Sequence, residues 1–222
     1  MIVNPIAHIK TDFKEKFGIP RQSGRIAAEG EIHFLPEYKN PDAVRGIEGF
    51  SHLILLFDFS EAHREGFSPT VRPPRLGGNT RVGVFASRAP YRPNPIGLSV
   101  VKLVSVEEGP VLRVSGVDLL DGTPIIDIKP YLKSDAYPEA VGGFADEHVG
   151  HALKVQVPDG VLDPLPEPKR EVLLAAIADD PRPSYQDDGR TYSMHFSDFD
   201  VRFTVDGDTA TITELVPKED SK

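Results

Sequence analysis

Cysteine is absent from all 222 residues, which rules out disulfides and thiolate-ligated metals and fits a reducing compartment. Long apolar runs are absent too. Runs such as Leu53 to Phe57 and Val172 to Ala178 fall far short of the roughly 18 residues that cross a bilayer as a helix. The opening Met1-Ile2-Val3-Asn4-Pro5 has neither the basic start nor the apolar stretch of a signal peptide. The chain is therefore expected to be cytoplasmic, neither exported nor membrane-embedded. Nucleotide-fold signatures are also missing. Leu76-Gly77-Gly78-Asn79 lacks the Gly-Lys-Ser/Thr ending of a P-loop and the third glycine of the dinucleotide fingerprint, and no helix pattern follows it. Its glycines read as relief for a left-handed turn. No Gly-x-Ser-x-Gly elbow occurs. The seven histidines include no His-x-x-x-His or His-x-His pair, so no metal site is expected.

The composition present is that of a globular protein, 39% hydrophobic and 27% charged, at a length suited to one large or two small domains. Nineteen glycines and 21 prolines point to many turns. The net charge of −9 is unevenly laid: residues 1–135 carry 17 basic and 16 acidic side chains, residues 136–222 carry 8 and 18. From Arg64 to Arg92 the chain holds Arg64, Arg72, Arg75, Arg81, Arg88 and Arg92, no lysine and the single acid Glu65. Such a cluster suits phosphate or carboxylate, which the planar guanidinium grips bidentately. Taken singly, each arginine reads as an ion-pair partner of some acid or as a solvated loop residue.

The pattern of the first half is mostly strand. Ile32 to Leu35, Leu53 to Phe57, Val82 to Phe85, Leu98 to Val106, Val111 to Leu120 and Ile125 to Ile128 are separated by Gly/Pro turns. Many short strands with little helix predict a closed or strongly curved sheet, because closure removes exposed edges. Val157 to Pro168 has four prolines and no periodicity, and reads as a linker. After it, Pro168 to Ala178 predicts a helix with Val172, Leu173, Ala176 and Ile177 on one face. Thr191 to Phe196, Val201 to Val205 and Ala210 to Leu215 predict strands. The expected organisation is a mainly β, barrel-type domain over residues 1–156, a linker over 157–168 and a small α+β domain over 169–222.

One loop stands apart. In Gly83 to Ser99, Pro90, Pro93 and Pro95 fix φ and restrict the residues before them, so Tyr91, Arg92 and Asn94 are presented on a rigid backbone. That rigidity suits a ligand met without ordering cost; it equally suits a stiff barrel corner.

Val84-Phe85-Ala86-Ser87-Arg88 with Arg92-Pro93-Asn94-Pro95-Ile96-Gly97-Leu98-Ser99 resembles the signature of the tRNA methyltransferase O (TrmO) family. Pro20-Arg21-Gln22, Gly49-Phe50-Ser51-His52-Leu53, Arg72-Pro73-Pro74-Arg75-Leu76-Gly77-Gly78-Asn79, Asp118-Leu119-Leu120-Asp121-Gly122-Thr123-Pro124 and Asp127-Ile128-Lys129-Pro130-Tyr131 match in order. Asp180-Pro181-Arg182-Pro183-Ser184-Tyr185 and Asp198-Phe199-Asp200-Val201-Arg202 extend the match to the second domain, as in the bacterial two-domain form. Ala89 departs from the pattern, where a small hydroxyl or thiol residue is expected.

The resemblance implies a single-sheet closed β-barrel, a homodimer, and transfer of a methyl group from S-adenosylmethionine to N6 of threonylcarbamoyladenosine, the base 3′ of the anticodon at tRNA position 37. Three turns are expected to hold the cofactor: Gln22-Ser23-Gly24, the loop from Phe85 to Arg88, and Asp118-Leu119-Leu120-Asp121, with Leu98 beside them. Leu119 and Leu120 suit the adenine, Asp118 or Asp121 the ribose or the ammonium, and Arg88 the carboxylate. For the two aspartates, turn chemistry competes. Arg92, Asn94 and Tyr131 are the catalytic candidates, in a base-flipping mode. Arg72, Arg75, Arg81, Tyr91 and Lys129 are the candidates for RNA contact. A non-catalytic RNA-binding barrel and a small-molecule methyltransferase are the alternatives.

Overall fold

A computed structural model describes residues 2–73, 80–148, 152–182 and 189–218. Six strands close into an antiparallel barrel: β1 (Ala7–Thr11), β2 (Glu29–Phe34), β3 (His52–Asp58), β6 (Ile96–Glu107), β7 (Val111–Ser115) and β8 (Pro124–Pro130), in the spatial order β1-β2-β7-β6-β3-β8. Closure is made where Ala7 and His8 of β1 pair with Ile125 and Pro124 of β8. Period-two patterning turns one set of side chains inward, and Ile9, Ile32, Leu53, Leu55, Leu112 and Ile125 are fully buried. A barrel this narrow is filled by its own side chains. A ligand must therefore sit at an end, where loops leave the strands.

The second unit is a four-stranded sheet in the order β10-β11-β12-β9, covered by helix α1 (Glu167–Ala178). Here β10 is Thr191–Phe196, β11 is Phe199–Asp206, β12 is Thr209–Pro217 and β9 is Lys154–Gln156, which runs parallel to β12. Leu173, Ile177, Met194, Phe196, Phe203 and Ile212 make its core. The two units are welded through the segment after β1. Phe13 bridges to Phe196, their rings edge to face at 5.7 Å. The Ser197 N–H donates to the Asp12 carbonyl at 2.7 Å, and Lys169 Nζ reaches Asp12 Oδ1 at 2.7 Å.

Four details differ from the sequence reading. Strand β1 is absent from the expected strands, although its five residues alternate between buried and exposed. The strand expected from Val82 to Phe85 is two residues long: β5 (Val82–Gly83) pairs with β4 (Thr70–Val71), and a 3-10 turn over Val84–Ala86 follows. The strand from Val111 stops at Ser115, because Gly116 takes φ +86° and turns the chain. Finally, β9 falls in residues read as barrel but pairs with the second sheet. The proline-rich stretch after it also packs, since Leu162 and Leu165 are buried and the Leu165 carbonyl accepts from Arg170 Nε at 2.7 Å.

Candidate active site

The C-terminal end of β1, the end of β3 and the starts of β6 and β8 share one end of the barrel, and a cavity of about 580 Å3 opens there. That volume suits a nucleoside-sized ligand. Its floor is the Asp118–Ser99 pair, in which Ser99 Oγ donates to Asp118 Oδ1 at 2.5 Å. Ser99 is held on β6 opposite Leu55. Its neighbour Val100 donates its N–H to Ser23 Oγ at 3.2 Å, tying the loop over residues 22–24 to the floor. Burial pushes the Asp118 carboxyl above its ordinary value, against the opposing hydrogen bonds from Ser99 and from backbone groups of Asp118 and Ser23, and against the charge of Arg88. A recessed carboxylate of this kind calls for a ligand that brings a positive charge or hydroxyl donors.

The roof is the proline loop. Arg92 Nη1 donates to the carbonyls of Ser87 at 3.0 Å and Ala89 at 3.3 Å, and Ser87 Oγ donates to the Val84 carbonyl at 2.9 Å. At Ala89 it is the backbone that bonds, its N–H meeting Ser87 Oγ at 3.3 Å. Tyr91 lines the cavity, and the Arg64 guanidinium lies 3.5 Å from its ring centre.

One wall is borrowed from the segment that docks onto the second unit. Lys16, Ile19, Arg21 and Gln22 face the cavity. Behind them, Phe17 stacks on Tyr192 and Phe203 at 6.2 and 6.3 Å, and Arg21 Nη2 donates to the carbonyls of Asp180 and of Arg182, the latter at 2.9 Å. Lys16 pairs across the opening with Glu61 at 3.0 Å. Close packing runs through the floor: a Cβ placed on Gly97 would overlap the Phe57 ring, itself packed edge to face on Phe59 at 5.0 Å. Gly97→Ala is expected to destabilise the fold by about 1–3 kcal/mol and to weaken binding in the cavity, as measured by a denaturant melt and a ligand titration.

The cavity thus gathers Gln22, Arg88, Leu98, Asp118, Leu119 and Leu120 from the residues read as cofactor contacts, with Tyr91 and Arg92. Others lie off it. Asp121 holds the loop after β1, its Oδ2 meeting Lys14 Nζ at 2.8 Å and its Oδ1 the Thr11 N–H at 2.9 Å. Gly24 donates to the Gly116 carbonyl at 2.9 Å. Phe85 is 73% exposed and stacks on Phe67. The Asn94 carbonyl accepts from the Ile96 N–H at 2.8 Å, inside the loop. Tyr131 and Lys129 sit at the opposite end of the barrel, since Leu53 at the start of β3 pairs with Pro130. The seven residues of β3, six steps of roughly 3.3 Å, separate the two ends by about 20 Å. Tyr131 packs on His52 and Lys129 pairs with Asp127 at 2.6 Å. Arg72 and Arg81 are exposed, Arg81 Nη1 reaching Thr70 Oγ1 at 3.4 Å; Arg75 lies outside the described residues. The segment from Phe57 to Ala62 was missed by sequence reasoning, and no motif marks it. Asp58 there meets His63 Nε2 at 2.7 Å.

A single antiparallel barrel that seats a nucleoside-sized cavity at one end, roofed by an arginine- and proline-rich loop, defines a ligand-binding enzyme scaffold outside the doubly wound nucleotide folds. The family model for the tRNA-methyltransferase O N-terminal domain matches residues 8–136, and that for the TrmO C-terminal domain matches residues 160–218. A tRNA (adenine(37)-N6)-methyltransferase of Escherichia coli K12 is 40% identical over 227 residues, 96% of this chain and 97% of the relative. A Methanothermobacter thermautotrophicus relative named "Probable S-adenosyl-L-methionine-binding protein" is 43% identical over 129 residues, 58% of this chain and 88% of the relative. The crystal structure of TrmO from P. aeruginosa superposes with a TM-score of 0.81 at 35% identity, over 98% of this chain and 97% of that one. The chain belongs to the tRNA-methyltransferase O family.

Proposed function

We propose that the chain is an S-adenosylmethionine-dependent tRNA methyltransferase that methylates N6 of the adenosine at position 37, converting N6-threonylcarbamoyladenosine to its N6-methyl form. It works in the cytoplasm as a homodimer, and the barrel carries the chemistry while the second unit braces it. The observation behind this reading is the Asp118–Ser99 floor within an apolar, adenosine-sized cavity, in a chain of this family.

The residues fit the cofactor. Leu98, Leu119 and Leu120 give an apolar slot for the adenine, Asp118 takes hydroxyl or ammonium donors, and Arg88 at the mouth takes a carboxylate. When bound, S-adenosylmethionine supplies an electrophilic methyl group on a sulfonium centre. The protein's task is then positioning. Tyr91 and the braced proline loop order the face on which the nucleotide lands, and the Lys16–Glu61 pair closes the opposite rim against water. Asp58, backed by His63, is the carboxylate at the lip that receives the proton of the target N–H.

The test is mass spectrometry of nucleosides from threonylcarbamoyladenosine-containing tRNA incubated with the protein and methyl-labelled S-adenosylmethionine. One labelled methyl on that nucleoside is expected. Label on another nucleoside, or none on tRNA, overturns the assignment.

A further inference from the structure

The sequence reading put Phe85 against the cofactor, yet its side chain is the most exposed aromatic ring beside the cavity, 73% in solvent. The cause is local. The 3-10 turn over Val84–Ala86 buries Val84, whose N–H donates to the Pro69 carbonyl at 2.9 Å, and the next side chain is thereby turned outward. Phe67, 55% exposed, comes from the other side of the β4–β5 arm, and the two rings stack at 6.2 Å and 24°. Two phenylalanines contribute little to a core while standing in water, and such a pair marks an interaction surface.

The setting identifies the partner. Arg72 and Arg81 flank the two-strand arm that carries the pair and Arg64 lies over Tyr91; all three are exposed and meet no carboxylate among the described residues. Glu65, the one acid between Arg64 and Arg92, makes no ion pair among the described residues, and Asp58 and Glu61 are held by His63 and Lys16, so positive charge stays in excess. Aromatic faces set among uncompensated arginines are how single-stranded nucleic acid is held, bases on rings and phosphates on guanidinium groups. A second copy of this chain is disfavoured, because an isologous contact centred on the patch would set arginine against arginine. The position also fits. Ser87 lines the cavity and follows Phe85 by two residues, at most about 7 Å of chain, so nucleotides adjacent to one placed in the cavity fall over the rings.

We propose that Phe67 and Phe85 form a stacking platform for the single-stranded anticodon loop, replacing the neighbour contacts that the target base gives up when it leaves the loop stack. This rests on the reading of the chain as a tRNA methyltransferase and adds the surface that holds the loop open. It also separates two jobs on one face: the arginines supply charge, the rings supply stacking.

The experiment titrates a fluorescein-labelled anticodon stem-loop RNA carrying threonylcarbamoyladenosine against the full-length protein at several salt concentrations. Phe67→Ala and Phe85→Ala are each expected to weaken binding about tenfold. Phe85→Leu should behave like the alanine variant and Phe85→Trp like wild type, because stacking needs a π face. The slope of affinity against salt should stay unchanged in all four, since no phosphate contact is lost. S-adenosylmethionine affinity and the sedimentation coefficient should also match wild type. Unchanged RNA affinity overturns the platform, as does full rescue by leucine. A loss that tracks a change in sedimentation assigns the rings to a protein contact instead, and a loss of S-adenosylmethionine affinity assigns them to the cofactor site. Wild-type protein that binds no such RNA removes the tRNA reading and the platform together, whereas intact methylation by a Phe85→Ala enzyme with normal RNA affinity removes the platform alone.

Discussion

Asp118→Asn is expected to raise the dissociation constant for S-adenosylmethionine by about 10- to 100-fold, the worth of a hydrogen bond to a charged partner, while leaving the free protein at least as stable as wild type. The two effects have one origin. Asp118 is recessed at the cavity floor, and burial lifts its carboxyl above the ordinary value of 3.8. The folded state therefore holds the proton to higher pH than the unfolded chain does. Between those two values folding gains protons, so this group's contribution to stability falls as pH rises and reaches its full penalty above the folded-state value. Asparagine removes that penalty and keeps an acceptor for Ser99 Oγ. A bound ammonium or hydroxyl donor reverses the preference, because it favours the ionised form. Cofactor affinity should accordingly fall as the solution is acidified through the Asp118 transition, and the asparagine variant should show no such fall. Calorimetric titrations across the acid range, paired with melting curves, measure both. An asparagine variant that binds within twofold of wild type would show that the ligand does not use this carboxylate.

Local chemistry along the chain made parts of this architecture legible. The apolar run Leu53 to Phe57 and the alternation in Leu98 to Val106 announced strands, proline at the start of α1 announced the helix, and the cluster of prolines after Ala89 announced a rigid loop. Barrel closure was inferred from the number of short strands, but the register that closes it is a long-range matter: nothing in Ala7-His8 says that Pro124-Ile125 lies beside them. The same limit explains the site. Asp118 was readable because its motif is contiguous. Asp58 and Glu61 were not, because they reach the cavity only through the pairing of β3 with β6 and β8. Tyr131 and Lys129 were drawn to the site by a motif whose strand carries them to the opposite end of the barrel. Phe85 illustrates the finest scale. Neighbouring residues of one signature face opposite ways, since a single 3-10 turn decides which of Val84 and Phe85 is buried.

Phe17→Ala is expected to destabilise the protein by about 2–3 kcal/mol, somewhat under the cost of emptying a full core site, and to weaken S-adenosylmethionine binding about tenfold although Phe17 does not line the cavity. The ring lies nearly parallel to Tyr192 and Phe203, which are themselves stacked at 5.4 Å. On either side of it in the chain, Lys16 and Ile19 face the cavity. Between them Gly18 adopts φ +92° and lies against Met194, whose side-chain end a Cβ there would have to displace, so the turn is fitted to the second unit. Removing the ring loosens the anchor of a cavity wall, and the cofactor then meets the entropy of ordering that wall. The same reasoning says what a truncation near Val157 should do. A barrel cut there keeps every residue of the cavity but leaves Phe13 and Phe17 exposed and Arg21 without the Asp180 and Arg182 carbonyls. It should fold less stably and bind more weakly than the full chain, with Phe17→Leu in the full chain lying close to wild type. Melts and titrations on the three proteins decide the matter. Lost stability with unchanged affinity would mean that the Lys16–Glu61 pair and the Ser23–Val100 bond suffice to hold the wall.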